Sequence, residues 1–382
     1  MTKQPQLAFY CSSTSWGGLE MNTVRYAQWM QERGWSVALY CVNGSQLQHA
    51  AVASGLNTFS VRRNGKYLDI VNAWRVSRLF KQQQVSLCWF RDTRDFSLLG
   101  WVKFFRGGSL NMLYQQAMQF GISKKDLIHT IRFRQVDAWV STLHFLAQQV
   151  RDQTHYPHAR IHVVPLGVDD ERLFAKPVTR QEAREFFGLS DEAFVAGIIG
   201  RLDRLKGQHV AIEAIRLLHD EGIAVHLLIV GESTRNEGNY YEQEIKLLTQ
   251  ELELTEFVHF AAYTKKVELF YEAIDVFALC SKGETFGTVT IEAMAFGKPI
   301  VGTGSSGTPE ILSGDCGLLF EPESAEGLAV QIKCIMNDEV LHSTLTKNSR
   351  AKFELQFSKQ ASLDGMEKVV NHLLSAANKK RD

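Results

Sequence analysis

The chain has 382 residues, of which 45% are hydrophobic, and its 42 basic side chains are balanced by 42 acidic ones. This length and apolar content are typical of two globular domains, and the seven prolines and lack of long polar tracts argue against disorder. No run reaches the roughly 18 uncharged apolar residues of a membrane-spanning helix, and the first residues do not form a signal-peptide pattern. We therefore expect a cytoplasmic protein.

The cysteines are not spaced as a metal-binding motif would require. There are six, and none forms a C-x-x-C pair: Cys11, Cys41, Cys88, Cys280, Cys316 and Cys334. No group of His, Cys and carboxylate side chains has metal-ligand spacing. We expect reduced, buried thiols, no metal and no cofactor.

The zero net charge hides an uneven distribution. Residues 1–165 hold 19 Lys and Arg against 8 Asp and Glu, whereas the remainder holds 23 against 34. All seven tryptophans also lie in the first part. This polarity suggests that the first half meets an anionic acceptor or membrane surface, with chance segregation as the alternative. We expect no nucleic-acid partner.

Strand-like and helix-like segments alternate along the chain. The predicted strands of the first half are 6–11, 37–41, 85–90, 110–114, 138–140 and 161–164, with helices at 20–32 and 68–83 among those between. Those of the second half are 194–199, 225–230, 258–260, 276–280 and 299–301. This alternation predicts parallel sheets with helices on both faces, in two doubly wound α/β domains.

The domain join is predicted near Pro165 to Asp169. We expect a first domain at 1–165, to which the final helix (about 360–382) returns, and a second domain at 166–359. Open parallel sheets bind ligands beyond the carboxyl ends of their strands. The residues that directly follow strands are therefore the candidate site.

The most informative segment contains two acids, Glu284 and Glu292, and follows the strand at 276–280. Glu284 lies in the loop, and Glu292 lies about one turn into a helix. The backbone N–H groups near Gly287 would point out of that helix start, where anions bind. A pair of solvated surface acids is the alternative.

Other strand ends carry cations or glycines. Arg201 and Lys206 follow the strand at 194–199 and suit a diphosphate, although two surface cations would give the same pattern. Gly17 and Gly18 permit close backbone approach to a phosphate, or form a flexible turn. The run 302–307 fits G-x-G-x-x-G, but we interpret it only as a helix start with Thr308 as N-cap and Pro309 at N1.

Together these segments resemble the retaining family-4 glycosyltransferases of the GT-B fold. The matching pieces, in the expected order, are Trp16-Gly17-Gly18, the 164–169 join, Gly200-Arg201 to Lys206-Gly207, Glu284 to Glu292, and 307–310. The resemblance implies two facing Rossmann-like domains with a central cleft. It further implies a metal-independent hexosyltransferase that uses a nucleotide-sugar, UDP by default, and a glycan or lipid-linked acceptor.

The resemblance also implies residue roles. Arg201 and Lys206 would bind the donor diphosphate, Glu284 the transferred sugar and Glu292 the ribose. The remaining donor contacts would come from Gly17, Gly18, Gly200, Gly231, Ala262, Tyr263, Phe286, Gly287, Thr288 and Val289. Acceptor or sugar positioning would fall to Trp16, Arg91 and Gln116.

One departure concerns the first domain. The family often has a histidine near the reacting sugar, where this chain reads Gln115-Gln116. Glutamine is no base near neutral pH, so we expect Gln116 to position substrate. Surface polysaccharide or lipopolysaccharide synthesis at the inner membrane face is the expected setting. The alternatives are a nucleotide-sugar isomerase or phosphorylase, a non-catalytic sugar-binding protein and, last, an NAD-dependent oxidoreductase.

Overall fold

The computed structural model describes residues 6–65, 69–233 and 239–378, without the side chains of Ala377 and Asn378. The chain divides into two compact units. The first unit comprises residues 1–165 and 362–382, and the second comprises residues 166–361. Among the described residues, no helix is long and apolar enough to cross a membrane.

The first unit is built on a parallel sheet of seven strands, counted over its described residues. They are Gln6–Cys11 (β1), Val37–Val42 (β2), Thr58–Val61 (β3), Val85–Phe90 (β4), Asn111–Gln115 (β5), Ala138–Ser141 (β6) and Ile161–Val163 (β7). The order across the sheet is β3-β2-β1-β4-β5-β6-β7, so the topology switches direction between β1 and β4. Ligands of doubly wound sheets bind at such a switch point.

Helices cover this sheet. They are Gly18–Glu32 (α1), Gln46–Ala53 (α2), Ile70–Gln82 (α3), Phe96–Phe105 (α4), Leu127–Arg134 (α5) and His144–Gln153 (α6). Side-chain caps fix the first turn of several helices. The side chains of Ser45, Asp69 and Asp126 each accept a hydrogen bond from the backbone N–H three residues further along the chain. Such caps satisfy amides that the helix itself leaves open.

Aromatic side chains fill much of the first core. Trp89 and Trp139 are fully buried, and the Trp139 ring lies 4.6 Å from that of Tyr114 and 5.8 Å from that of Phe96. Trp29 is buried too. Three of the seven tryptophans therefore serve packing, which offers one reason for their concentration in this half.

The second unit has a parallel sheet of six strands among its described residues. They are Phe194–Ile199 (β8), Val225–Val230 (β9), Val258–Ala261 (β10), Val276–Leu279 (β11), Ile300–Thr303 (β12) and Leu318–Phe320 (β13). Their order is β10-β9-β8-β11-β12-β13, which is the Rossmann order 3-2-1-4-5-6. The switch point lies between β8 and β11.

The helices of the second unit begin at Asp170–Leu173 (α7) and Arg180–Phe187 (α8). They continue with Gln208–Asp220 (α9), Tyr240–Glu251 (α10), Val267–Ala273 (α11), Thr288–Ala295 (α12), Thr308–Ile311 (α13), Ala325–Asn337 (α14) and Glu339–Lys352 (α15). A π-helical turn, Phe353–Phe357, precedes the final helix Lys359–Asn378 (α16).

Helix α16 enters the first unit at Ser362 and is held there by polar contacts. The Arg33 guanidinium pairs with Asp364 at 2.7 Å and with Glu367 at 2.6 Å. The Ser362 hydroxyl lies 2.6 Å from the Tyr26 hydroxyl and donates to the Pro165 carbonyl at 2.6 Å. The end of the chain thereby stabilises α1 and the last residues of the first segment.

The predicted elements were largely correct, with three differences. The short strands β3 and β13 were not predicted. Thr308 is the first helical residue and Gly307 the N-cap, so the predicted capping register was wrong by one residue. The structure also shows that Cys334 is exposed, in contrast to the expectation of buried thiols, whereas the other five free cysteines are buried.

Candidate functional site

In the second unit, most of the predicted donor residues lie along the carboxyl edge of the sheet. Arg201 and Lys206 follow β8, Gly231 follows β9, Ala262 and Tyr263 follow β10, and Glu284 follows β11. Because all strands are parallel, their carboxyl ends share one edge. Folding therefore places Arg201 and Glu284, which are more than eighty residues apart in the sequence, along the same edge of the sheet.

Two glycines keep the loops after β8 and β9 in close contact. A Cβ atom placed on Gly231 would lie 1.9 Å from the carbonyl oxygen of Gly200, and Gly200 itself has a φ of +148°. The Gly200 amide donates to the Val230 carbonyl at 2.9 Å. Glycine is thus favoured at both positions independently of any ligand, at Gly231 by the close backbone packing and at Gly200 by its φ.

Lys206 is carried towards Glu284 by a short 3₁₀ turn, Arg204–Lys206, in which the Asp203 carboxylate accepts from the Leu205 amide. The turn ends at Gly207, which has left-handed φ and lies so close to β11 that a Cβ would be 2.4 Å from the Cys280 carbonyl oxygen. The Lys206 ammonium donates to Glu284 at 2.6 Å. Both side chains are partly exposed, so they remain accessible to a ligand.

Arg201 is placed differently from Lys206. Its guanidinium pairs with Asp203 at 2.9 Å, and its side chain is half exposed. The structure therefore joins Lys206, but not Arg201, to Glu284 directly. Arg201 needs only a change of side-chain rotamer to leave Asp203, because exposed ion pairs contribute little stability.

Helix α12 begins beside this pair. Gly287 is its N-cap with a φ of +68°, and a Cβ there would lie 3.0 Å from Glu284 Cγ. The amides of Thr288 and Val289 occupy the first two helical positions, which have no intrahelical acceptor. The Glu284 carbonyl accepts from the Gly307 amide at 3.2 Å, which fixes the loop. Phe286 is buried, so only its backbone faces a ligand.

Glu292 is oriented by a residue that the sequence did not indicate. The buried Tyr271 hydroxyl lies 3.0 Å from Glu292 Oε2 and 2.9 Å from the Val289 carbonyl oxygen. Burial, and next the charge of Glu292, raise the pKa of Tyr271 well above its usual value, so the hydroxyl stays a donor. Tyr271 lies on α11, where its spacing predicts only core packing.

In the first unit, Trp16, Gly17 and Gly18 form the start of α1. Gly17 is the N-cap, and its amide donates to the buried Glu20 carboxylate at 3.0 Å. A Cβ on Gly18 would meet open space, and Trp16 is partly exposed. The helix start is therefore accessible, although one of its orphan amides already faces a carboxylate of the chain itself.

Arg91 and Gln116, which the sequence predicts to position acceptor or sugar, are buried at the ends of β4 and β5, and that role stays a prediction. The Arg91 guanidinium donates to Gln115 Oε1 at 2.7 Å, and burial lowers its pKa to about 10. Gln116 accepts from Trp139 Nε1 and from the Ser141 hydroxyl, and it donates to the Met118 carbonyl. Both side chains therefore make hydrogen bonds in the interior of the unit, next to the carboxyl ends of β4 and β5.

A group with metal-ligand types does form on folding, although the sequence spacing gave none. Cys11, Asp92 and Asp95 are buried with one ligand atom each within 4.8 Å of the others. Burial, and then Asp92, raise the pKa of Asp95 to about 8. Ser12 and Asn64 donate to Asp95, and Arg94 pairs with Asp92, so the carboxylates already have protein partners.

Comparison with known proteins identifies the family. Residues 179–352 match the model described as Glycosyl transferases group 1, and residues 16–172 match Glycosyltransferase Family 4. The capsular polysaccharide biosynthesis glycosyltransferase CapM of Staphylococcus aureus is 29% identical over 197 residues, which are 51% of this chain and 50% of CapM. The chain spans about half the length of the curated relatives it matches.

Solved structures show the same architecture. A glycosyltransferase from Rickettsia africae ESF-5 superposes with a TM-score of 0.86 at 18% identity, over 97% of this chain and 99% of the other. Anabaena HepE in complex with UDP and glucose gives a TM-score of 0.78 at 18% identity, over 96% and 99%. With two family models that together match most of its residues, the chain belongs to the group 1, family 4 glycosyltransferases and has the GT-B fold.

Proposed function

We propose that the chain is a retaining hexosyltransferase that moves a sugar from a nucleotide-sugar, with UDP favoured, to a glycan or lipid-linked acceptor. The observation that carries the proposal is the Lys206–Glu284 pair at 2.6 Å beside the open start of α12. It combines a cation and two free amides for a diphosphate with a carboxylate for the attached sugar. UDP and glucose are bound by the structurally similar HepE.

The charges account for the reaction. The bond between the anomeric carbon and the phosphate oxygen breaks, and its electron pair remains on the diphosphate. Lys206, Arg201 and the amides of Thr288 and Val289 stabilise that charge. The acceptor hydroxyl attacks the anomeric carbon from the face that the diphosphate leaves, so the anomeric configuration is retained. The proton of the hydroxyl passes to the departing phosphate oxygen. Glu284 orients the sugar, and Glu292 binds the ribose.

The setting we propose is surface polysaccharide or lipopolysaccharide synthesis at the inner face of a bacterial membrane, with the basic first unit towards the lipid. CapM supports a capsular or related acceptor. The positive charge of Lys206, Arg201 and α12 takes the part that a divalent metal plays elsewhere. We therefore expect chelation with EDTA to leave turnover unchanged.

The test measures nucleotide binding and sugar transfer with Lys206→Met. We expect UDP binding to weaken by about tenfold or more, since a cation–diphosphate contact is worth roughly 1.5–3 kcal/mol. Lys333→Met is the matched control: this exposed lysine pairs with Glu221 at the end of α9, at the opposite edge of the same sheet. Equal UDP affinity in both variants would refute the donor site.

Incubation with donor alone separates the remaining candidates. Conversion of the nucleotide-sugar without an acceptor would indicate an isomerase or, with phosphate present, a phosphorylase. Nucleotide binding without any turnover would indicate a sugar-binding relative. Nicotinamide binding in place of UDP binding would favour an oxidoreductase.

A further inference from the structure

A cavity of about 620 Å³ lies in the first unit, and none of the residues that line it has a role in the proposed transfer reaction. Its walls include residues that precede three neighbouring strands: Ser109 lies before β5, Asp137 before β6 and Arg160 before β7. Helix α16 forms a further wall with His372. The cavity therefore lies at the amino-terminal edge of the sheet, whereas Gly17 lies at the carboxyl edge.

The acidic charge in the cavity wall is already neutralised. Among the described residues that line the cavity, Asp137 is the only acid. Its Oδ2 atom accepts from the Lys103 ammonium at 2.6 Å and from the Met112 amide at 2.8 Å. Lys103 also donates to the Gln135 carbonyl at 2.8 Å. Because Lys103 and Asp137 cancel each other, the net charge of the cavity is set by its other side chains.

The other polar side chains that line the cavity include four hydrogen-bond donors that have no partner in the protein. Within the described part of the chain, none of the four forms a side-chain hydrogen bond or an ion pair: Asn111, Arg160, His162 and His372. Asn111 and His162 are partly buried, and the other two are exposed. Donors of this kind bond to water in a free protein, and a ligand that is rich in acceptor oxygens can replace that water.

The two imidazoles are neighbours, with ring centres 6.4 Å apart. Burial, and next the charge of His372, lower the pKa of His162, so this ring is neutral at neutral pH. The charged groups that face the rings across the cavity are Arg160 and the Lys103–Asp137 pair. An anion in the cavity would favour the protonated form of both rings, so its binding would be coupled to proton uptake.

A phosphate group matches these donors in number and in reach. It offers three acceptor oxygens, which suit one guanidinium and two imidazoles. A ring nitrogen lies about 1 Å from the ring centre and a hydrogen bond spans about 2.8 Å, so both rings can reach one phosphate between them. The cavity volume is in the range of small-molecule sites, which leaves room for a carbon body against Leu373 and Ala376.

We propose that this cavity binds a soluble phosphate ester of about the size of a sugar phosphate. Arg160, His162 and His372 hold the phosphate group, and Asn111 donates to the rest of the ligand. Because Arg160 and His162 belong to the start of β7 and His372 belongs to α16, the bound ester would fix α16 to the sheet. The site lies in the first unit and does not rest on the proposed function, whose donor residues Lys206 and Glu284 belong to the second unit.

The experiment titrates the full chain with ribose 5-phosphate and with inorganic phosphate by calorimetry, in a buffer free of phosphate and sulfate. Ribose is the neutral control ligand. The variant is Arg160→Gln with His372→Gln, which changes two exposed side chains and no core residue. The matched control is Arg75→Gln with His49→Gln, two exposed side chains of α3 and α2. Thermal unfolding followed by circular dichroism reports whether each protein is folded.

We expect the wild type and the control to bind ribose 5-phosphate but not ribose, and the double variant to bind it at least about tenfold more weakly. The ester should raise the Tm of the wild type and not that of the double variant. Equal affinity in all three proteins, or no response of the wild type to either phosphate ligand, would overturn the inference. Equal displacement of ribose 5-phosphate by UDP in the wild type and the double variant would place the ester in the donor site instead. Binding to phosphatidylglycerol vesicles without binding to the soluble ester would also overturn it.

Sulfate tests the two imidazoles separately, because it stays doubly charged over the range in which histidine titrates. We expect its affinity to rise severalfold as the pH falls from about 8 to about 6, since the protonated rings attract the anion more strongly. His162→Gln keeps a donor but cannot take up a proton, so it should show a weaker dependence on pH. An equally steep rise in this variant would contradict the role of His162. Loss of UDP binding with ribose 5-phosphate binding retained would contradict the proposed function and leave this site intact.

Discussion

Replacement of Tyr271 by phenylalanine removes one hydroxyl group from the proposed donor site. The side chain is fully buried, and its hydroxyl contacts only polar atoms of α12: Glu292 Oε2 at 3.0 Å and the Val289 carbonyl at 2.9 Å, among the contacts described. Phenylalanine keeps the ring and its stacking on Phe296, with 5.1 Å between centroids. The change therefore leaves no cavity larger than one oxygen atom.

The magnitude follows from the two acceptors, which share the single hydroxyl proton, so their contributions do not add in full. A hydrogen bond to a neutral carbonyl contributes about 0.5–1.5 kcal/mol, and one to a carboxylate about 1.5–3 kcal/mol. We expect Tyr271→Phe to lower the free energy of unfolding by about 1–3 kcal/mol. If Glu292 binds the ribose, the loss of its orientation should cost about 1–2 kcal/mol of binding, a five- to thirtyfold higher Kd for UDP.

The assay pairs denaturant unfolding with calorimetric titration of UDP. Tyr156→Phe is the control, because this buried tyrosine in the first unit donates to a backbone carbonyl, that of Val136, at 3.3 Å. It should lose about 0.5–1.5 kcal/mol of stability without a change in UDP affinity. A Tyr271→Phe protein that is destabilised as calculated but binds UDP as tightly as the wild type would refute the role of Glu292.

Two further outcomes follow from packing and protonation. Gly231→Ala should cost more than about 3 kcal/mol of stability, because its Cβ would overlap the Gly200 carbonyl, whereas Gly121→Ala, which meets open space, should be nearly neutral in the same unfolding experiment. His226 Nδ1 lies 3.0 Å from His259 Nε2. Burial lowers the pKa of each imidazole below the pKa that a histidine has in the unfolded chain. The unfolded state then binds more protons, so stability should fall as the pH drops below about 6.5, and His259→Gln should flatten the fall in Tm; an equally steep fall in the variant would contradict this.

The fold was predictable where hydrophobic runs are long. Strands such as β8 and β9 are six-residue runs that are polar at no more than one position, which is typical of parallel strands buried on both faces. The strands β3 and β13 are four and three residues long and are only partly buried, so they give no such run. Their pairing depends on the neighbouring strand, which the local sequence does not reveal.

The sequence was enough to predict which residues of the candidate site follow strands, but not which side chains they contact. Residues after parallel strands share an edge, which suffices to group Lys206 with Glu284. The role of Tyr271 was not visible, because a tyrosine in an amphipathic helix has the spacing of core packing. The partners of Gln116 were not visible either: its place after β5 predicts that it positions substrate, and the structure shows its amide bonded to Trp139, Ser141 and the Met118 carbonyl.

The Lys206–Glu284 pair shows how backbone packing and side-chain charge act together in the candidate site. Each partner lies in a loop fixed by a glycine, Gly207 against the Cys280 carbonyl and Gly287 against Glu284 itself. Backbone packing therefore determines where the two charges meet, while their partial exposure keeps the mutual attraction weak enough to exchange for a ligand. A fully buried pair would resist that exchange, because each charge would lose its partner in a dry interior. The arrangement is thus better suited to binding a sugar diphosphate than to stabilising the unit.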